Sequence, residues 1–228
     1  MRVVHAGGLA GARTARGVVV VIDVLRAFTV SAFALAAGAR ECRLVAELSE
    51  ALELAERLPG AVVSAEVEGL PVPGVAISNS PTMVRDADLA GKVLVQRTSS
   101  GTQAAVAAAA GAEELYAASL VVASATAGRI QAARPEVVTL VASGADRGHP
   151  EDEACAAYLE ALLLGRRADL PALLGPLLSS DRYACFLSGS WPGFPPSDLR
   201  LALTPDRFDF AMPVERDELG LRITARAT

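Results

Sequence analysis

The chain has 228 residues, a net charge of −5 and a high apolar fraction dominated by Ala, Val and Leu, enough to build the core of one sizeable α/β domain. Negative charge, the absence of a basic cluster and an aromatic content of only 4% argue against a nucleic-acid binder. No run is long and clean enough to span a membrane.

Met1 to His5 predicts a first strand, and Ala6 to Gly17, rich in Gly and Arg, a loop. Arg13 and Arg16 stand before an apolar run in the manner of a signal peptide, but Asp23 and Arg26 interrupt that run. Val18 to Ile22 is a β-branched run that reads as a buried strand. Asp23 ends it, Arg26 and Thr29 follow, and Ala27 to Ala37 suits a helix stopped by Gly38. Arg43 to Ala46 predicts a strand. Ser49 to Leu58 predicts a helix capped by Ser49 and closed by Pro59-Gly60. Ala61 to Ala65 predicts a strand ending at Glu66. Leu70 to Pro81 then reads as a long, Pro-punctuated surface loop carrying Asn79-Ser80-Pro81.

Asp86 to Gly91 predicts a turn, and Val93 to Val95 a strand. The loop Arg97-Thr98-Ser99-Ser100-Gly101-Thr102 leads from it into a helix over Gln103 to Ala110. Glu114 to Ala117 predicts a strand, Val122 to Ala133 a helix, and Val137 to Val141 a strand. Ala142-Ser143-Gly144 and then Asp146, Arg147 and His149 lead to a helix over Glu151 to Leu164. Pro150 and the acids Glu151 and Asp152 mark its start. Asp169 to Phe186 predicts two short helices, and Asp198 to Leu203 a helical turn. Phe208 to Val214 and Leu221 to Ala225 predict late, edge-forming strands.

The chain repeats itself. When Gly38 is set on Gly111, Ile22 meets Val95, Asp23 meets Gln96, Arg26 meets Ser99 and Thr29 meets Thr102. Both units read strand, polar loop, Ala-rich helix, Gly-Ala, strand, and Val137 onward is a shorter third version. The fold predicted is a single three-layer α/β/α domain, residues 1–228, with the polar loops at one sheet edge building a shared pocket. The Ala-rich helices suit a core or a homo-oligomer interface equally.

Several chemistries are excluded. Only His5 and His149 exist, so a multi-histidine zinc site is not available. No G-x-S-x-G elbow occurs. Cys42, Cys155 and Cys185 form no C-x-x-C pair and read as reduced core residues of a cytoplasmic protein. What remains is a carboxylate and hydroxyl site. Asp23, Glu66, Glu151 and Asp152 are hard oxygen ligands at strand ends or helix starts, and Mg²⁺ takes one or two carboxylates with waters and phosphate oxygens. The Thr98 to Thr102 loop offers an anion cradle of hydroxyls, backbone N–H groups and a glycine, with Arg26 and Arg97 adding positive charge. An acidic metal site facing an anion site is what phosphoryl transfer needs, because its catalysis is positioning plus charge neutralisation.

These motifs resemble the 2-phosphosulfolactate phosphatase family. Asp23-Val24-Leu25-Arg26-Ala27 is similar to its D-V-x-R-A, Gly74 to Pro81 to its Asn-Ser-Pro loop, and Thr98 to Thr102 to its T-T-N-G-T loop. Glu151 to Ala156 is similar to its E-D-x-x-C-A helix start. The order and spacing agree over roughly Val18 to Ala156, and Asp198 to Val214 is also similar. The chain departs from the pattern at Phe28, Ser99, Ser100 and Ser143, and Glu66-Val67-Glu68 lacks the family's Arg.

The resemblance implies a Mg²⁺-dependent phosphatase that converts 2-phosphosulfolactate, or a related small phosphate ester, to sulfolactate and phosphate, the chemistry of coenzyme M biosynthesis. On that reading Asp23, Arg26 and Glu66 are catalytic. Asp23, Glu66, Glu151 and Asp152 supply the metal ligands or the base for water. Thr29, Asn79, Thr98, Ser99, Ser100, Gly101 and Thr102 bind substrate. The alternative expectation is a non-catalytic binder of a phosphorylated or sulfonated metabolite. Buried carboxylates beside the anion site speak against it.

Overall fold

The computed structural model describes residues 1–227. The strands are β1 (Arg2–Gly7), β2 (Gly17–Ile22), β3 (Glu41–Leu44), β4 (Val62–Val67), β5 (Leu70–Pro71), β6 (Val93–Arg97), β7 (Ala112–Ala118), β8 (Val137–Ala142), β9 (Phe210–Asp217), β10 (Gly220–Ile223) and β11 (Arg226–Ala227). The helices are α1 (Gly8–Thr14), α2 (Ala27–Ala36), α3 (Leu48–Arg57), α4 (Pro81–Arg85), α5 (Gly101–Ala108), α6 (Ala123–Ala133), α7 (Pro150–Leu163), α8 (Leu170–Leu173), α9 (Gly175–Leu178), α10 (Asp181–Ser188) and α11 (Ser197–Ala202).

One mixed sheet runs β1-β8-β2-β7-β9-β10-β3-β6-β4-β5, with β11 on β9. Two parallel blocks, β1-β8-β2-β7 and β3-β6-β4, are joined by the antiparallel hairpin β9–β10. Helices cover both faces, giving the expected three-layer α/β/α arrangement. On the outer face of the first block, α6 and α7 pack on Val18, Val20, Val138 and Leu140. On the second block, Ala51 and Leu54 of α3 pack on Val93 and Val95. The Ala-rich helices α2 and α5 sit in the core between the blocks. Residues Ala27 to Leu35 of α2 are all buried, so this helix has no solvent face and no amphipathic stripe.

The repeat proves to be an exchange. From β2 the chain passes through α2 to β3, which pairs with β6. From β6 it passes through α5 to β7, which pairs with β2. Each unit thus sends its second strand to the other unit's first.

Several expectations need correction. Ala6 to Gly17 is not a loop: β1 continues to Gly7 and residues 8–14 form α1, which packs Ala12 into the core and contacts α5. Tertiary burial there outweighs the helix-weakening glycines. Gly17 opens β2 with φ +73°, and a Cβ there would stand 2.6 Å from the Val137 carbonyl oxygen. Helix α3 is capped by Glu47, not Ser49, through a box in which Glu50 reaches back to the Glu47 N–H at 3.1 Å. The 169–186 stretch holds three short helices rather than two. The late strands are central, because β9 and β10 bridge the two blocks. Cys42 and Cys155 are buried, whereas Cys185 is partly exposed; all three are free. Among the described residues no helix is long and apolar enough to cross a membrane.

The polar loops do not share one edge of adjacent parallel strands. β2 and β6 lie in blocks of opposite direction. The loops that follow them nevertheless meet, since Gly101 at the start of α5 abuts Asp23 after β2.

Candidate active site

Asp23 follows the last residue of β2 and extends the sheet through its N–H to the Ala118 carbonyl (3.1 Å). Its Oδ1 accepts from the Ala27 N–H (2.9 Å), fixing the first turn of α2, and its Oδ2 accepts from Ser143 Oγ (3.2 Å) at the end of β8. Asp152, in the first turn of α7, accepts from the N–H groups of Val24 (2.8 Å) and Gly144 (3.0 Å), and its Oδ2 lies 3.3 Å from Ser143 Oγ. Glu151 accepts from Arg182 Nε (2.8 Å), while its Oε2 is buried without a partner. Burial raises the pKa of all three acids. Asp23 and Glu151 reinforce it for Asp152, while Arg182 opposes it for Asp23 and Glu151. Such a cluster of carboxylates favours a nearby cation.

Glu66, near the end of β4, accepts from the N–H of Ser99, from Ser99 Oγ (3.0 Å) and from the Gly69 N–H (2.5 Å). It ties the end of β4 to the loop before α5. Arg97, expected to face an anion, instead donates to the carbonyls of Ala46 (3.1 Å) and Glu66 (2.6 Å) and braces the loops. Thr98 and Thr102 cap one another: the Thr98 N–H donates to Thr102 Oγ1 (2.8 Å) and the Thr102 N–H to Thr98 Oγ1 (3.1 Å). A Cβ at Gly101 would stand 2.7 Å from Asp23 Oδ2 and 2.6 Å from Ala27 Cβ, so only glycine lets the two loops meet.

Arg26 is 2% exposed. Its Nη1 donates to Asp198 Oδ2 (3.0 Å) and the Gly193 carbonyl (2.5 Å), and the guanidinium lies 3.9 Å from the Phe194 ring centre. Burial pulls its pKa down and Asp198 opposes that. Asp198 also accepts from Ser80 Oγ (2.9 Å) and the Thr82 N–H (3.1 Å), which anchors the loop carrying Asn79. The Asn79 Oδ1 is buried without a partner.

Asp23, Arg26, Glu66, Asn79, Ser99 and Ser100 line one cleft of about 230 Å³. Thr29, Thr98, Gly101, Thr102, Glu151 and Asp152 do not line it. Thr29 donates to the Val24 carbonyl (2.7 Å) and is fully buried. The cleft also takes Arg147, His149, Arg182, Trp191 and Phe194, none of which the sequence motifs assign to a site. Arg182 stands on α10, and Trp191 and Phe194 follow it in Pro/Gly-rich sequence; no spacing there points inward. His149 was visible only as a neighbour of the Glu151-Asp152 helix start. Its pKa is pushed down to about 3 by burial and by Arg182 and Arg147, so the ring is neutral near pH 7.

Among the described residues no group of three or more His, Cys, Asp or Glu is arranged to hold a metal. The donor set does fit the way Mg²⁺ binds, through one or two carboxylates with the remaining positions left to water and phosphate oxygens. Asp23 and Glu66 share the cleft, and each Asp23 oxygen carries a single protein donor, which leaves lone pairs available.

Carboxylates and arginines gathered in so small a cleft, at strand ends of an α/β sheet, define a protein that handles a small anionic compound. Comparison with known proteins gives the family. The family model described as 2-phosphosulpholactate phosphatase matches residues 7–176. A probable 2-phosphosulfolactate phosphatase of Bacillus subtilis (strain 168) is 31% identical over 204 residues, 87% of each chain. Proteins of the same description from Deinococcus radiodurans and Carboxydothermus hydrogenoformans are 38% and 39% identical, over 57% and 64% of this chain and 54% and 60% of their own. The chain belongs to the 2-phosphosulfolactate phosphatase family.

Proposed function

We propose that this protein is a Mg²⁺-dependent phosphatase that hydrolyses 2-phosphosulfolactate, or a closely related small phosphate monoester bearing an acid group, to the hydroxy acid and phosphate. The observation that carries this reading is the pairing, within one cleft of about 230 Å³, of Asp23 and Glu66 with Arg26. The size suits a three-carbon ester.

Asp23 and Glu66 would hold the Mg²⁺, with Glu151 behind them engaging Arg182 and Asp152 holding the Val24 and Gly144 N–H groups. When bound, the metal would neutralise charge on the phosphoryl oxygens. Ser100 would offer its hydroxyl and N–H to the ester, with Ser99 beside it holding Glu66, and Arg26 a guanidinium already fixed by Asp198. Asn79 would orient the acid group of the substrate. In place of a metal contact, Glu66 would serve as the base that accepts the proton of the attacking water. Thr29, Thr98, Gly101 and Thr102 would serve by shaping the two loops. A pure binder of dianions gains nothing from carboxylates in its site, which favours an enzyme over a metabolite-binding protein.

The test is phosphate release from 2-phosphosulfolactate, 2-phospholactate and 2-phosphoglycerate, with Mg²⁺ or with chelator. Metal-dependent release, fastest with the sulfonate, is expected. Metal-dependent release favouring another ester would keep the reaction and change the substrate. No release from any of them by folded protein would overturn the phosphatase reading in favour of the binder.

A further inference from the structure

Arg182 stands on α10, beyond the residues matched by the family model. Three contacts fix its guanidinium. Nε donates to Glu151 Oε1 (2.8 Å), Nη2 donates to the Leu25 carbonyl (2.8 Å), and the group lies 5.4 Å from the ring centre of Phe186. Its Nη1 has no hydrogen-bond partner among the described residues, and the side chain borders the same cleft as Asp23. Arg26 lies 5.6 Å from the ring centre of Phe186, so one buried aromatic ring separates two held guanidiniums.

The two arginines have different neighbours. Arg26 is turned toward Asp198, Gly193 and Phe194, whereas Arg182 is tied to the peptide after Asp23 and Val24 and to the acid beside Asp152. The other basic groups of the cleft are poorer candidates for a phosphoryl group next to Asp23. Arg147 is exposed and paired with Glu68 at 3.3 Å, and His149 is uncharged.

We propose that Arg182 is a further catalytic residue, its unpartnered Nη1 joining Arg26 on the phosphoryl group of the substrate beside Asp23. Glu151 is then the residue that positions Arg182. This deepens the phosphatase reading and rests on it. A guanidinium locked by a carboxylate, a carbonyl and a ring is preorganised, so it loses little entropy on meeting developing phosphoryl charge.

The experiment measures kcat and KM for 2-phospholactate and for isopropyl phosphate, which lacks the acid group, together with calorimetric binding of inorganic phosphate. The proteins are the wild type, Arg182→Gln and Arg182→Lys, the lysine keeping a charge opposite Glu151 in case the glutamine variant folds poorly. Expected for Arg182→Gln are a roughly hundredfold fall in kcat/KM on both esters, at least tenfold weaker phosphate binding, and an unchanged preference between the esters. Arg182→Lys should recover part of each loss. Selective loss on 2-phospholactate would assign Arg182 to the acid group and overturn the proposal. Unchanged rates and phosphate affinity in both variants would make Arg182 a structural ion pair and overturn it equally. The phosphatase reading fails on a separate arm, inactivity of the wild type toward both esters, and the phosphate-binding comparison still decides the role of Arg182 in that case. Absence of phosphate binding by the wild type as well would overturn both.

Discussion

Arg26 and Asp198 form an ion pair at 3.0 Å that solvent does not reach, the side chains being 2% and 0% exposed. The pair joins the loop after β2 to α11, two segments separated by most of the chain. Through Ser80 and Thr82 the same carboxylate holds the start of α4. Truncation to Asp198→Ala would leave a buried guanidinium unpaired, which costs about 3–5 kcal/mol. Urea unfolding should show that loss. Asp198→Asn, which keeps an acceptor for Ser80 and Thr82, should lose less. Equal stabilities of all three proteins would contradict the role given to this pair.

Asp23→Asn should abolish metal-dependent phosphate release, with a fall of at least about a hundredfold. The asparagine oxygen can still accept from the Ala27 N–H, and burial already disfavours the aspartate charge. The melting temperature should therefore not drop. Retained activity in the folded variant would remove Asp23 from the chemistry.

Gly101→Ala would drive a methyl group against Asp23 Oδ2 and Ala27 Cβ. Overpacking of this kind costs about 1–3 kcal/mol. Because the displaced group is the proposed metal ligand, phosphate release should fall more steeply than stability does. A variant as active and as stable as the wild type would show that the two loops separate freely.

Thr102→Val removes the hydroxyl that accepts the Thr98 N–H. Leaving the buried Thr98 N–H without its acceptor costs about 1–3 kcal/mol, so the thermal midpoint should fall. KM should change little if the side chain shapes the loop rather than touching the ester. A large rise in KM at unaltered stability would restore it as a direct substrate contact.

Asp217 sits opposite Arg43, with Oδ1 2.6 Å from Nη1 and Oδ2 2.9 Å from Nη2. The bidentate pair lowers its pKa from 3.8 to about 2. A carboxylate with a depressed folded-state value stabilises the fold fully above its unfolded value and loses that contribution as pH falls through the folded one. The difference in melting temperature between wild type and Asp217→Asn should therefore be constant above about pH 5 and shrink from pH 4 toward pH 2. A difference that grows on acidification would refute the linkage.

The sequence by itself determined the local elements and the chemical types at their ends. A β-branched run that stops at an acid can be recognised as a buried strand and its exit, as at Val18 to Asp23, because both the apolar pattern and the break are local. The same holds for the Ala-rich helices, for Pro150 with its acids, and for the repeat that sets Asp23 against Gln96. Those signals gathered twelve candidate site residues, of which Asp23, Arg26, Glu66, Asn79, Ser99 and Ser100 line the cleft and the other six do not.

Tertiary structure alone decided what those residues face. Thr98 and Thr102 look like anion ligands in sequence, but their hydroxyls are taken by each other's backbone N–H groups. Arg97 looks like a phosphate ligand, but two carbonyls brought in from β3–α3 and β4 hold it. Arg182 and Asp198 carry no local signal, since their partners Glu151 and Arg26 lie 31 and 172 residues away. The central position of β9 and β10 is likewise hidden, because strand order depends on which edges remain to be paired after the parallel blocks form. Local pattern reports what a residue can do. The pairing of distant backbone and charge, made favourable by burial, fixes which of those capacities is left for a ligand.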